Sequence, residues 1–469
     1  MLSVQSLYKP MQDLASDTLA YRDPETGELK PELATSWEQT APDEWVFHLR
    51  PGVKFHDGTD FDAEAAAWNV TVQTDANTGK SRAAVFAPNL KASAVDPLTL
   101  DIKCESACPI LDQISPHIQF TSPTYASKNP DKYMVWPIGT GPYYLAEWKD
   151  DYLLYKRFED YWNKDEHIYF DEVKVVWREE ASVRAAMVAN GEADLATDLT
   201  QLEADQVPVA LSVNSADSAV LRFRTRGANG ELDPVWGDRR FRQALMYAID
   251  CDAMAKTLMK GVVKCDPVPM NPASVGWVDD PGYPYDPAKA RELLDEVLGA
   301  GKGIDITILE EAGVIPSEWS DAIISYWHDV GVNATVQQLE GDLLNAHVRP
   351  GPCGVPGGQC SMPPDVYILA AHTNDLFDAS IPLRYMDCTN PASFAACDPA
   401  FIAEAADAGA KSGAERKTAM EEMVRKWVIG DAQVNGLWHT PYVFGASERL
   451  VWPHPQMLRI RPDEMSFSS

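Results

Sequence analysis

The segment IDITI (304–308), SEWSDAIISYWHDV (317–330), VNATV (332–336) decides the fold. In the first and last stretches Ile304, Ile306, Ile308 and Val332, Ala334, Val336 alternate with polar residues, the period of a half-buried strand. Between them Trp319, Ile323, Tyr326, Trp327 and Val330 recur at three- and four-residue spacing, the period of an amphipathic helix. Strand, helix, strand without a hairpin predicts a parallel pair joined by a right-handed crossover. The layer is therefore α/β.

Working outward, Asp286-Pro287 opens a helix bearing Ala290, Leu293, Leu294 and Val297, with the proline in its tolerated first position. Another helix follows Asp238, with Phe241, Leu245, Ala248, Ile249 and Leu258 on one face and Gly261 as the stop. Ala181 to Asn190 reads as a helix with Val183, Ala186, Met187 and Asn190 on one side, stopped by Gly191. Further upstream the chain looks like short strands: Trp45, Phe47, Leu49, then Leu98, Leu100, Ile102, then a hairpin of Tyr143 to Trp148 and Leu153 to Phe158, then Val173, Val175, Trp177. A helix begins near Asp62. Downstream, Arg349 to Pro364 is a Gly/Pro-rich surface loop, Asp365 to Leu369 is a strand, and Glu415 to Ile429 is a helix with Met420, Met423, Val424, Trp427 and Val428 on one side. No repeat of fixed period is present.

The 469 residues are 45% hydrophobic and 23% charged, the range of ordinary globular proteins. At roughly 150 residues per domain the length suggests about three folding units. A net charge of -30 argues against nucleic acid and against an anionic membrane surface. No stretch approaches the ~20 apolar residues of a spanning helix, and Met1 to Gln5 lack a basic-then-apolar leader. Eight cysteines fall into close neighbours, Cys104 with Cys108, Cys251 with Cys265, Cys353 with Cys360 and Cys388 with Cys397. That pattern suggests up to four short disulfide loops and an oxidising compartment, with connectivity open among about a hundred pairings. Zinc is the rival reading at Cys104-x-x-x-Cys108, but no second ligand pair completes a site nearby.

Enzyme motifs are absent: no His-Glu-x-x-His, no Gly-x-Ser-x-Gly elbow, no Gly-Lys-Ser/Thr phosphate loop. The glycine cluster Gly299 to Gly303 follows a helix and precedes a strand, the reverse of a dinucleotide site. It reads as a helix end.

The blocks LATSWE (33–38), WVFHLRPGVKFHDGT (45–59), PIGTGPY (137–143), YWN (161–163), NGEADL (190–195), RRFRQALMYAID (239–250) and YDPAKA (285–290) occur in this order. Together they resemble the extracytoplasmic solute-binding proteins of ABC importer family 5, the dipeptide, oligopeptide and nickel-binding type. The resemblance implies a two-lobed periplasmic-binding-protein-like fold (type II, cluster C) with an extra domain inserted in the first lobe. Lobe I would combine 1–17, 138–220 and 441–469; the inserted domain II would be 18–137; lobe III would be 221–440. The lobes would close on a ligand around a hinge. It implies a small-molecule ligand, most plausibly a short peptide or amine-bearing compound, with an oligosaccharide or a nickel or other metal chelate behind it. It further implies permease subunits as partners, no catalysis, no cofactor, no metal centre, a monomer, and a periplasmic or cell-surface location. A secretion signal and an early strand ahead of Leu14 to Tyr21 would also be expected, and the sequence shows neither. A hydrolase using cleft carboxylates is the alternative of another class.

Peptide-binding relatives hold the peptide's amino terminus with an aspartate shortly after a strand. Here that strand leads into AAHTNDLFD (370–378). Ungapped matching puts Asn374 in the aspartate's place; one inserted residue puts Asp375 there and aligns Asp378 with a later acid. An aspartate would hold an ammonium by a charge-assisted bond, and an asparagine would favour a neutral ligand. The tryptophan and arginine of oligopeptide binders correspond to Ala371 and Ile368, two departures. His372 is a further candidate, as a metal-chelate ligand or as hydrogen-bonded structure. Trp438, Tyr442 and Phe444 lie in the strand that returns to the first lobe, and would either line an apolar cleft or pack as core. Arg349 is a candidate for an anionic group. Phe47, Leu49, Leu245 and Ile249 read as core, and Gly58 and Gly141 as turn glycines.

Overall fold

The computed structural model describes residues 13–23, 26–76, 82–133, 135–164, 168–312, 314–353, 360–455 and 460–468. The chain divides into two units, Met1–Val213 with Tyr442–Ser469, and Asn214–Pro441.

In the first unit, β1 (Ala34–Ala41) and β2 (Glu44–Leu49) are followed by helix α1 (Ala63–Thr74), then β3 (Lys91–Asp96) and β4 (Thr99–Lys103). The strands form one antiparallel sheet in the order β1-β2-β4-β3. Trp45, Phe47 and Leu49 face inward as their alternation requires, with Trp45 opposite Ile102 and Phe47 opposite Leu100. The Asp62 carboxylate accepts the Ala65 N–H at 2.9 Å and so caps α1. The hairpin expected after Pro142 is β5 (Tyr143–Trp148) with β6 (Tyr152–Arg157), and β7 (Glu172–Val176) adds to it antiparallel.

The blocks around Gly58 and Gly141 turn out to serve different ends. Gly58 sits at φ +81°, a turn that only glycine adopts cheaply. Gly141 has no such dihedral; it is small because the N-terminal segment lies against it. Its N–H donates to Ala15 O at 3.0 Å, and a Cβ there would meet the Ala15 carbonyl carbon at 2.6 Å and Leu14 O at 2.8 Å. The neighbouring His56 donates from Nε2 to Gly141 O at 2.9 Å, and burial pushes its imidazole down to about 4, so the ring stays neutral in the physiological range. We expect Gly141→Ala to destabilise the protein by about 1–3 kcal/mol, the range for overpacking, while Gly52→Ala, where the added methyl would meet nothing, costs only its dihedral strain. Thermal unfolding of the two variants checks the order.

A buried ion cluster closes this unit. Arg461, 4% exposed at the side chain, reaches Asp463 (Nε to Oδ1, 2.7 Å), Asp17 (3.4 Å) and Glu32 (3.5 Å). Asp17 also accepts from Trp162 Nε1 at 2.7 Å and from Thr140 Oγ1 at 3.3 Å, and Glu32 from the Thr18 N–H at 2.7 Å. Burial disfavours the Arg461 charge, but Asp463 and Asp17, with the Tyr161 hydroxyl, more than offset this and hold the guanidinium well above its usual range.

Helix α2 (Ala181–Ala189) forms as read, but on a different face. Ala185 and Val188 are buried, against Leu199 and Val443, whereas Val183 is 42% exposed. The series 183, 186, 187, 190 and the series 181, 185, 188 both satisfy helical spacing in an alanine-rich stretch, so only the packing partners select between them. β8 (Leu195–Leu199) then pairs antiparallel with the end of the last long strand, Leu195 opposite Ala446.

β9 (Val209–Phe223) carries the chain from the first unit into the second. There α3 (Arg239–Tyr247), α4 (Pro287–Leu298), β10 (Ile304–Glu311), α5 (Ser317–Asp329), β11 (Val332–Leu339), β12 (Val366–Thr373), α6 (Pro399–Ala410) and α7 (Gly413–Met423) follow, before β13 (Val434–Ala446) returns. The sheet order in this unit is β13-β9-β12-β10-β11. β10 and β11 are parallel in the register Ile304 to Val332, as the 304–336 pattern predicts. Ile306, Ile308, Trp319, Ile323, Trp327 and Val332 pack with Phe241 and Leu245 in one core. The helix read from Asp238 to Leu258 is two: α3 ends before Asp250, whose carboxylate accepts the Ala253 N–H at 2.9 Å and starts a second helix, Cys251–Thr257. A side-chain cap inside an unbroken apolar pattern ended the first helix early.

Disulfides join Cys104 to Cys108, Cys251 to Cys265, Cys353 to Cys360 and Cys388 to Cys397. No described helix is long and apolar enough to cross a membrane.

Candidate ligand-binding site

The candidate site lies where β12 ends. The strand is longer than its apolar core suggests: it runs through Thr373, and His372 is still paired, opposite Ser218 of β9. His372 is thus held in the sheet, 2% exposed, with its ring centroid 5.3 Å from that of Tyr385.

Immediately beyond, the chain turns tightly. Asn374 is fully buried; its Oδ1 accepts the Asp378 N–H at 3.3 Å and its carbonyl accepts the Phe377 N–H at 3.2 Å. Phe377 sits at φ +53°, a left-handed conformation that a bulky residue adopts only when its surroundings impose it. The surroundings are visible: Val275 N–H donates to Phe377 O at 2.8 Å and Ala379 N–H to Val275 O at 2.9 Å. Asp378, fully buried, takes two bonds from Arg416 on α7, Nε and Nη2 each at 2.8 Å, and caps Ser380 N–H at 2.9 Å. Asp378 is therefore spent on holding the loop, and so is the Asn374 carbonyl oxygen. Asp375 lies between these anchors at 6% exposure.

The other candidates lie elsewhere. Trp438 is fully buried in the core of the second unit, edge-on to Trp319 at 4.8 Å. Tyr442 and Phe444 belong to the first unit: the Tyr442 hydroxyl donates to Asp198, its ring stacks obliquely on Phe444 at 4.8 Å, and Phe444 is fully buried against Trp452. Arg349 is exposed at the end of a short helix, Gly341–Val348. The structure thus brings His372, Asn374 and Asp375 together on one strand end, and places Trp438 and Phe444 in packed cores.

Two arrangements were not singled out in the sequence. Ser218 Oγ lies 3.1 Å from His439 Nδ1, and His439 Nε2 lies 3.0 Å from Asp266 Oδ2, which also accepts Trp277 Nε1 at 3.2 Å. Ser218 is 1% exposed and in mid-strand, so the chain is a hydrogen-bonded tie between β9 and β13. The second is an arginine ladder: Arg222, Arg224 and Arg226 alternate with Leu221, Phe223 and Thr225 along β9 and just past it, and all three arginines are buried. Charges at every second position of an otherwise apolar strand were the signal available. Among the described residues, no three or more His, Cys, Asp or Glu side chains converge as a metal centre.

Residues 28–394 match the sequence family described as bacterial extracellular solute-binding proteins, family 5. The chain belongs to that family. Family 5 proteins bind solutes and are not enzymes, which leaves no place for the hydrolase alternative. Among curated proteins, the glutathione-binding protein GsiB of Escherichia coli K12 is 30% identical over 290 residues, 60% of this chain and 55% of that protein. The match spans about half the length of this curated relative. Solved structures share the fold over nearly the whole chain. NikA from Brucella suis, in complex with Fe(III)-EDTA, superposes with a TM-score of 0.81 at 20% identity, covering 98% of this chain and 95% of that one. DppA from Helicobacter pylori, an ABC transporter-associated periplasmic binding protein in complex with the peptide STSA, gives 0.74 at 21%, covering 97% and 93%. The mixed α/β fold is that of the cluster C periplasmic binding proteins.

Proposed function

We propose that this family 5 protein is the substrate-binding component of an ABC importer, capturing a short peptide or other amine-bearing solute outside the cytoplasm and passing it to a membrane permease. The observation that carries the reading is the clamped turn at Asn374 to Asp378. Asp378 is held by Arg416, and Asp375, which an alignment with one inserted residue puts in the place of the amine-binding aspartate of peptide binders, is the residue assigned to the ligand's ammonium, with His372 three positions before it. Fixing such a loop before the ligand arrives lowers the entropy cost of capture. GsiB by its name binds glutathione and DppA is seen with a tetrapeptide, and both ligands carry a primary ammonium. The chelate bound to NikA marks the second class worth testing.

Thermal unfolding with di- to pentapeptides, oligosaccharides and nickel chelates tests the proposal. A ligand present at 100 times its Kd stabilises by about 2.7 kcal/mol, a shift readily read for a chain of this size. Peptides are expected to raise the midpoint, and Asp375→Asn to abolish the rise. A clear shift from a sugar with none from any peptide would overturn the ligand class.

A further inference from the structure

Every other buried arginine of the second unit has either a carboxylate partner or several carbonyl acceptors. Arg224 meets Asp233 at 2.7 Å and Asp365 at 2.8 Å, Arg242 meets Asp431 at 2.7 Å, and Arg416 meets Asp378 at 2.8 Å. Arg226 donates to four main-chain carbonyls, of Gly227, Gly351, Ser361 and Ser393. Arg222 is the exception. It is 3% exposed, yet its one hydrogen bond runs from Nη2 to Ala392 O. Its guanidinium lies between two aromatic faces, 4.1 Å from the Tyr385 centroid and 4.2 Å from the Phe394 centroid. Burial pushes it down to about 10, and the groups that act on it are the hydroxyls of Tyr385 and Tyr367 and the like charge of Arg384. No carboxylate of the described residues comes within ion-pair range of it, in a protein of net charge -30.

A buried charge without a counter-charge is costly and is seldom kept without a use. Two rings lie against this guanidinium, and Nε, Nη1 and the second N–H of Nη2 donate to nothing among the described residues, which leaves one edge with both of its N–H groups unused. That edge is the fork a carboxylate fits in two parallel bonds. Tyr385 also connects the place to the turn described above, since its ring lies against both Arg222 and His372.

Resting on the solute-binding reading, we infer that Arg222 is a specificity residue that takes a carboxylate of the ligand, making the preferred solute one that carries a free acid group. The Tyr385 and Phe394 rings orient the guanidinium and exclude water from the pair.

The test uses the intact protein and matched probes: peptides as free acids and as C-terminal amides, and uronic acids with their neutral sugars, each by calorimetry on the wild type, Arg222→Met and Arg222→Lys. Free acids are expected to bind at least about 100-fold tighter than amides, with Arg222→Met erasing the difference and Arg222→Lys keeping part of it. Because methionine removes an uncompensated charge and keeps the volume, unliganded Arg222→Met should unfold no lower than the wild type; a purely structural arginine predicts a lower midpoint. Amides that bind as tightly as acids would overturn the role of Arg222 and leave the peptide reading standing. A uronic acid that binds where its neutral sugar and all peptides fail would do the reverse, and binding by no probe would overturn both.

Discussion

Arg461→Met is expected to destabilise the protein by about 3–5 kcal/mol, the cost of breaking a buried ion pair from one side. Its removal takes the Arg461 guanidinium from Asp17 and Asp463, neither of them exposed at the side chain, and from Glu32 at 4%. The neutral donors around Asp17, the Trp162 indole and the Thr140 hydroxyl, stabilise its charge only in part. The comparison variant is Arg449→Met. Arg449 pairs with Asp194 at 2.9 Å, but its side chain is 59% exposed, and such pairs contribute about 0–1 kcal/mol. Urea unfolding should separate the two variants by most of the difference. Equal midpoints would show that the cluster contributes no more than a solvated pair.

Asp378→Asn should cost about 3–5 kcal/mol as well, because Arg416 would remain buried beside a neutral amide. Its second effect is the informative one. Asp378 fixes the turn that carries Asp375, through Arg416 on one side and the Ser380 N–H on the other. Ligand binding should therefore fall although Asp378 is not assigned any contact with the ligand. The double variant Asp378→Asn, Arg416→Met removes both charges, and a double-mutant cycle should find it less destabilised than the sum of the singles. If calorimetry with the best peptide of the screen finds full affinity in the Asp378→Asn variant, the turn does not need its clamp and the assignment of Asp375 loses its main support.

What could be read from the sequence was what repeats at short range. The β10-α5-β11 unit was legible because its periods, two and then three to four, change cleanly at Ser317 and Val332. The cysteine neighbours were legible because separations of 4, 7, 9 and 14 residues leave little chain to explore. The buried face of α2 was not, since alanines satisfy several helical stripes and only Leu199 and Val443 decide among them. Nor was the break at Asp250, where one side-chain cap outweighed a continuous apolar stripe. Gly141 looked like a turn residue because the segment that crowds it lies 126 residues earlier at Ala15. In the candidate site, the order of His372, Asn374 and Asp375 could be read, but not that Asp378 is held by a buried arginine. That depended on Arg416, 38 residues away. Arg222 was overlooked because the strand pattern shows a charge without showing what faces it.

The partners of Arg461 also bear on the order in which the molecule can be assembled. Asp17 and Arg461 are 444 positions apart, whereas the second unit is one uninterrupted stretch, Asn214 to Pro441. During vectorial synthesis that stretch has all its parts while the strand and ion cluster contributed by residues 442–468 have yet to emerge. The first unit must wait, with Asp17 and Glu32 not yet joined by Arg461, until the late segment arrives. Non-local closure of this kind is slow, so the half of the protein made first is the half that finishes last, and it is the one most exposed to proteases and aggregation on the way.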